Sequence, residues 1–105
     1  MVNYVKSLEE FNDILEQSKT KLVVIDFTAT WCPPCRFIGP IFEKMAGDYP
    51  DAIFVKVDVD EAADVAEQCG ISAMPTFQFY KDGAKVKEFS GASESKLKAS
   101  IQDLL

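Results

Sequence analysis

Two cysteines, Cys32 and Cys35, stand three positions apart in this chain, with only the prolines Pro33 and Pro34 between them. They follow the apolar run of residues 22–27, which is typical of a strand, and they precede a segment with helical spacing. A Cys-x-x-Cys pair between a strand and a helix can cycle between a dithiol and a disulfide. The spacing therefore predicts a pair that exchanges electrons with the disulfides of other molecules.

The two cysteines are expected to have different roles. Cys32 should be the N-cap of the helix, where free backbone N–H groups and the helix dipole favour its thiolate. We expect Cys32 to attack a substrate disulfide and form a mixed disulfide. Cys35 lies one turn further on and is expected to be more buried and less ionised. It would then attack Cys32 and release the reduced substrate.

The two prolines fit the first turn of the helix, where a missing N–H loses no helical hydrogen bond. They stiffen the loop, and they remove two N–H groups that could have faced the Cys32 sulfur. The amide of Cys35 is then the main remaining donor. We therefore expect the Cys32 thiol to have a higher pKa than it would with a non-proline residue at position 33.

Asp26 is the charged residue inside the apolar run of residues 22–27. A carboxylate that is buried there without a partner has a raised pKa. Because the chain contains no histidine, Asp26 is the best-placed candidate to take the Cys35 proton, directly or through water. Two alternatives stay open: Asp26 faces solvent at the strand end, or it serves only as a hydrogen-bond acceptor.

Zinc binding is the competing use of a Cys-x-x-Cys pair, but a structural zinc site usually needs a second pair of Cys or His ligands. Only Cys69 remains for that purpose, so we expect no metal site. Cys69 precedes Gly70 near a helix end and is expected to be a small buried hydrophobe. Trp31 could belong to the core or, beside a reactive cysteine, to a contact surface for substrates.

The composition of 105 residues, 48% hydrophobic and 27% charged, predicts one globular domain spanning residues 1–105. A net charge of −6 argues against nucleic acid or an anionic membrane as the main partner. The N-terminus shows no signal-peptide pattern, and no apolar segment is long enough to span a bilayer. We therefore expect a cytoplasmic protein, in which a Cys-x-x-Cys pair is more often catalytic or metal-binding than structural.

Helical and strand patterns alternate at short spacing, which predicts a compact α/β domain. Strands are expected at residues 2–5, 22–27, 53–59, 76–80 and 85–89, and helices at 8–18, from the cysteines to about 47, at 61–69 and after 93. The expected N-caps of the first, third and last helices are Ser7, Asp60 and Ser93. The order predicts three parallel strands joined through helices, followed by an antiparallel hairpin that turns at residues 81–84.

Three motifs carry a resemblance to the thioredoxin family: residues 23–35 (Val-Val-Ile-Asp-Phe-Thr-Ala-Thr-Trp-Cys-Pro-Pro-Cys), Met-Pro-Thr-Phe at 74–77 and Phe-Ser-Gly-Ala at 89–92. The resemblance covers essentially the whole chain. It implies a thioredoxin fold, with a five-stranded mixed β-sheet flanked by four helices. It also implies a general protein-disulfide reductase that binds no cofactor itself. Its partners would be oxidised protein substrates and a thioredoxin reductase that supplies electrons from NADPH.

The resemblance also implies roles for single residues. Cys32 would be the nucleophile, Cys35 the resolving thiol and Asp26 the carboxylate that assists proton transfer. Pro75 matches the family's cis-proline beside the disulfide, although an isolated X-Pro bond is usually trans. The docking surface for substrates would comprise Trp31, Ala73, Met74 and Gly91. Ala73 stands where some animal members carry an extra cysteine, so dimerisation through that position is unavailable, and we expect a monomer.

Pro33 replaces the glycine that is usual in the family, which leaves the redox potential and the fit to a reductase open. Two other functions therefore remain possible from the sequence. One is an oxidant or isomerase, because the residues between the cysteines tune the redox poise. The absence of a signal-peptide pattern and of a histidine between the cysteines argues against it. The other is a redox-dependent binding protein that docks a partner without turnover. The client proteins are not determined by the sequence.

Overall fold

The computed structural model describes residues 2–105, and within them five strands and four helices follow the expected order. The elements are β1 (Asn3–Tyr4), α1 (Leu8–Gln17), β2 (Val23–Thr28), α2 (Pro33–Asp48), β3 (Ile53–Asp58), α3 (Ala63–Gln68), β4 (Thr76–Lys81), β5 (Ala84–Ser90) and α4 (Glu94–Leu104). In this described part of the chain, no helix combines the length and apolar character needed to cross a membrane.

The strands form one mixed sheet in the order β1-β3-β2-β4-β5. The strands β1, β3 and β2 run parallel, whereas β4 is antiparallel to β2 and β5 is antiparallel to β4. The connections from β1 to β2 and from β2 to β3 pass through α1 and α2, as connections between parallel strands require. The predicted sheet, with three early parallel strands and an antiparallel hairpin at its end, is therefore confirmed.

Apolar cores lie on both faces of the sheet. Helices α2 and α4 cover one face, where Phe42 and Leu97 pack against Phe77 and other strand residues. Helices α1 and α3 cover the other face, where Phe11 and Val65 join the second core. Because β2 is central and covered on both sides, its sequence is nearly continuous in apolar residues rather than alternating.

Of the N-caps predicted for the first, third and last helices, two are confirmed. The Oγ atoms of Ser7 and Ser93 accept hydrogen bonds from the amides three residues later, at 3.1 and 3.2 Å. The prediction for Asp60 was wrong, because α3 begins later, at Ala63, and its N-cap has no side-chain hydrogen bond. The turn after β3 is closed instead by Asp58, whose Oδ1 accepts from the amide of Asp60 at 2.9 Å.

The hairpin between β4 and β5 turns at Asp82 and Gly83, whose φ angles are +55° and +80°. Two successive residues with positive φ match the right-handed twist of the paired strands. Aspartate is among the residues that tolerate this conformation, and glycine adopts it without steric cost. The predicted turn at residues 81–84 is thus confirmed, and it sets the pairing of Lys81 with Ala84 and of Tyr80 with Lys85, beyond which the register shifts at Phe79.

Candidate active site

The cysteine pair lies at the start of α2, just after the carboxyl end of the central strand β2. Cys32 and Cys35 form a disulfide, with their Cα atoms 5.2 Å apart. Cys32 is the N-cap residue, and the prolines Pro33 and Pro34 occupy the first two helical positions. The amide of Cys35 donates a hydrogen bond to the Cys32 sulfur at 3.3 Å, as expected once the prolines have removed the two preceding donors.

The expectation that Cys35 is the more buried of the two was wrong, since each residue is only 3% exposed. The reason is tertiary packing around the pair, to which Ala29 and Met74 contribute. The Cys32 sulfur lies 3.8 Å from the carbonyl oxygen of Met74, in the loop before β4. Whole-residue burial therefore does not distinguish the two thiols, whereas their places at the helix start do, because Cys32 is the N-cap and Cys35 is the third helical residue.

Asp26 is buried on β2, with 1% of its surface exposed. Its Oδ1 has no hydrogen-bond partner within residues 2–105. Burial raises the pKa of Asp26 to about 7; the nearby ammonium of Lys56 opposes this rise and the carboxylate of Glu43 adds to it. The alternative in which Asp26 faces solvent is thereby excluded. A carboxyl group with this pKa can both take and give a proton near neutral pH.

Lys56 and Glu43 complete the charged surroundings of Asp26, and the sequence analysis did not identify either. Lys56 stands beside Asp26 in the register of β2 and β3, and its Nζ lies 3.1 Å from Glu43 Oε2. Glu43 is anchored by the amide of Val2, which donates to Oε1 at 3.0 Å. The available signal was a lysine inside the buried-type strand 53–59, the same kind of anomaly as Asp26 in 22–27.

An open groove of about 660 Å³ lies beside this group of side chains. Its lining includes Cys35, Gly39, Glu43 and Lys56. No side chain fills the groove at Gly39, where a Cβ atom would lie 3.8 Å from Lys56 Nζ. The groove therefore connects Cys35 with the Glu43–Lys56 ion pair in one space that solvent can enter.

Of the residues expected to dock substrates, Trp31 directly precedes Cys32 and Met74 packs against the cysteine pair. Trp31 is 60% exposed and therefore does not belong to the core, and its Nε1 donates to Asp60 Oδ2 at 2.9 Å. Ala73 is exposed and Met74 is partly buried. The Met74–Pro75 peptide bond is cis, as the resemblance implied.

Gly91 comes to this surface from the other side of the hairpin. It is exposed, and its amide donates to the carbonyl of Pro75 at 2.9 Å. This hydrogen bond joins the loop after β5 to the loop before β4, which carries Met74. The fold thus links the segment after β5 to the loop whose Met74 contacts Cys32, and the role of these residues in docking stays a prediction.

Cys69 lies apart from the pair, as a free and partly buried thiol at the end of α3. It packs against the core beneath α1 and α3 as a small hydrophobe, but it is only partly buried rather than buried as expected. Burial raises the pKa of its thiol. In residues 2–105, no three potential metal ligands of the His, Cys, Asp or Glu types come together.

The chain is similar to known proteins over its whole length. Residues 2–103 match the family model of thioredoxin. A thioredoxin of Ictalurus punctatus is 54% identical over 105 residues, covering 98% of each chain. The thioredoxin of Homo sapiens is 49% identical, covering 100% of both.

Solved thioredoxin structures also superimpose on the chain over nearly its whole length. A thioredoxin of Fasciola hepatica superimposes with a TM-score of 0.93 at 41% identity, covering 98% of each chain. The reduced thioredoxin of Schistosoma mansoni superimposes with the same TM-score at 46% identity, covering 99% of this chain and 98% of that one.

Proposed function

Because the chain belongs to the thioredoxin family, we propose that Cys32 is the nucleophile and Cys35 the resolving thiol of its disulfide exchange. Membership of the family establishes the thioredoxin fold and the activity, which is reduction of protein disulfides by dithiol–disulfide exchange. The sequence-based predictions of fold and reaction are both confirmed. The assignment of individual residues to steps is the part that we propose.

In the first step, the Cys32 thiolate attacks one sulfur of a client disulfide. A new S–S bond forms between Cys32 and the client, the client bond breaks, and the second client sulfur leaves as a thiolate. The N-cap position and the 3.3 Å hydrogen bond from the Cys35 amide support this role, because both stabilise negative charge on the Cys32 sulfur.

In the second step, Cys35 transfers its proton to Asp26 and attacks the Cys32 sulfur. The bond to the client breaks, the client leaves as a thiolate that takes up a proton, and the Cys32–Cys35 disulfide forms. The burial of Asp26 and its pKa of about 7 support its assignment, because an efficient base has a pKa near the working pH.

Thioredoxin family members bind no cofactor themselves, so the oxidised pair must be recharged by a partner. We infer that a thioredoxin reductase supplies these electrons from NADPH, and that it and the oxidised protein clients dock on Trp31, Ala73, Met74 and Gly91. The exposure of Trp31 and the convergence of these segments beside the disulfide support this surface. We further propose one domain over residues 1–105, acting as a cytoplasmic monomer.

The observation that carries the proposal is the disulfide between Cys32 and Cys35 at the start of α2. The test is catalysed reduction of insulin by dithiothreitol, followed by turbidity. The wild-type protein should accelerate the reaction, and Cys32→Ser should lose the acceleration. Cys69→Ser is the matched control, because it removes the third thiol, and it should keep full activity. Activity that survives in Cys32→Ser would show that another group carries the reaction.

A further inference from the structure

We propose that Glu43 is a positioning residue for the proton transfer: it holds the Lys56 ammonium at the groove, so that Asp26 keeps no ion-pair partner and remains able to take the Cys35 proton. The inference rests on the role proposed above for Asp26. It assigns a function to an ion pair that does not touch the reacting sulfurs, and it explains how a lysine can stand beside a buried carboxylate without neutralising it.

Lys56 is the cation whose charge opposes the raised pKa of Asp26. The two residues are register partners on β2 and β3, and alternation of side chains puts both on the face that α2 covers. The Lys56 side chain is only 11% exposed, and its Nζ lies 3.1 Å from Glu43 Oε2 and 5.8 Å from the centre of the Tyr4 ring. Among residues 2–105, Lys56 and Asp26 do not form a salt bridge, since their nitrogen and oxygen atoms do not come within 4.0 Å of each other.

Glu43 is oriented from two sides. Its Oε1 accepts from the amide of Val2 at 3.0 Å, and its Oε2 faces Lys56. Partial burial opposes ionisation of Glu43, but these two contacts outweigh it and lower the pKa of the carboxyl group. Glu43 is therefore a fixed negative charge near neutral pH, and it draws the flexible lysine side chain toward the groove.

The other elements packed on this face add few competing charges around Asp26. On β3, Asp58 lies two residues beyond Lys56, and its carboxylate accepts from a backbone amide in the following turn. On β4, the register partner of Asp26 is Phe77, which is apolar. The inward-facing residues of α4 in this core, Leu97 and Ile101, are also apolar. The charge balance at Asp26 is therefore set chiefly by Lys56 and Glu43.

The chemical consequence follows from the second step of the exchange. Cys35 gives its proton to the Asp26 carboxylate, and the resulting thiolate attacks the Cys32 sulfur while the client thiolate leaves. If Lys56 paired directly with Asp26, the ion pair would favour the ionised carboxylate and make it a weaker base. By keeping the ammonium occupied, Glu43 preserves the basicity that the proton transfer requires.

The test is Glu43→Gln, which keeps the side-chain size and an oxygen for the Val2 amide but removes the charge. The midpoint of the Asp26 titration is followed through the side-chain carboxyl carbon by NMR in the oxidised protein. We expect the midpoint to move to lower pH by about one unit, since an opposite charge that gains access to a carboxylate lowers its pKa. The pH profile for resolution of a mixed disulfide should move in the same direction.

Two further variants separate positioning from simple charge removal. Asp48→Asn is the matched control, because Asp48 is an exposed carboxylate on the same helix that pairs with Lys44 at 3.0 Å, and it should leave the midpoint unchanged. Lys56→Met should move the midpoint to higher pH. In the Lys56→Met background, Glu43→Gln should produce less than half of its shift in the wild type, because no ammonium remains to be released.

The proposal is overturned if Glu43→Gln leaves the Asp26 midpoint in place, or shifts it equally with and without Lys56. A failure of the underlying mechanism looks different: Asp26→Asn would then leave the pH profile of resolution unchanged. That result would refute the role of Asp26 and, with it, the positioning role of Glu43, even if the Asp26 midpoint measured by NMR responds to Glu43→Gln as described.

Discussion

Replacement of Asp26 by Asn should stabilise the oxidised protein, and by an amount that grows with pH. Asp26 is 1% exposed, and burial raises the pKa of its carboxyl group from 3.8 to about 7. Between these two values the folded protein holds a proton that the unfolded chain releases. The stability of the wild-type protein therefore falls as the pH rises through this window and levels off above the folded pKa. The Asp26→Asn variant has no such dependence.

The magnitude follows from the two pKa values. One pKa unit corresponds to about 1.4 kcal/mol, so full ionisation of Asp26 in the folded state costs about 4 kcal/mol relative to the unfolded chain. The cost already amounts to about 1.5 kcal/mol at pH 5. The stability difference between Asp26→Asn and wild type should thus increase by about 2.5 kcal/mol between pH 5 and pH 8. Any cost of burying the Asn amide adds a constant that does not depend on pH.

The assay is urea denaturation of both oxidised proteins at several pH values from 5 to 8, followed by far-UV circular dichroism. The difference between the two midpoints should widen by roughly 1–2 M urea over this range. The oxidised state removes the titration of Cys32 and Cys35, and the chain has no histidine to titrate in the same window. Asp48→Asn is the control and should give a constant offset. Parallel curves for Asp26→Asn and wild type would refute the reasoning.

Three further predictions concern the loop, the exchange and the hairpin. Cys35→Ser should accumulate a mixed disulfide with a client protein through Cys32, as peptide mapping by mass spectrometry would show; a bond through Cys69 instead would mean that the roles are misassigned. Pro33→Gly should lower the pKa of the Cys32 thiol, followed by thiolate absorbance, because it restores a backbone N–H near the sulfur; an equal or higher pKa contradicts this. Gly83→Ala should cost about 1–2 kcal/mol in urea denaturation, because φ is +80° there, while the added Cβ would make only an ordinary contact with Lys19 Cε at 3.9 Å; an unchanged stability would contradict the conformational argument.

Much of the fold was predictable because its signals are local in the sequence. The run at residues 22–27 predicted a strand covered on both faces, and β2 proved to be the central strand between β3 and β4. Ser7 and Ser93 were predictable as helix N-caps because each accepts a hydrogen bond from the amide only three residues later. The Cys32 N-cap was predictable for the same reason, because it depends only on the strand-to-helix junction and on two prolines.

The features that the sequence analysis missed depend on contacts between distant segments. Lys56, Glu43 and Val2 meet only because β1 pairs with β3 beneath α2. Asp60 was expected to cap a helix, but its carboxylate accepts from Trp31, which arrives from the loop after β2. Pattern rules describe neighbours along the chain, and they do not reveal which of several possible partners a polar side chain finds across the fold.

The sequence by itself determined that two cysteines stand at a strand-to-helix junction, with a carboxylate in the preceding strand, and hence the class of chemistry. Only the tertiary structure decided how that chemistry is tuned. It buried both cysteines to the same degree, brought the Met74 carbonyl to the Cys32 sulfur, and turned Lys56 toward Glu43 rather than Asp26. Reactive groups are encoded residue by residue, whereas the desolvation and electric field that set their pKa values come from everything packed around them.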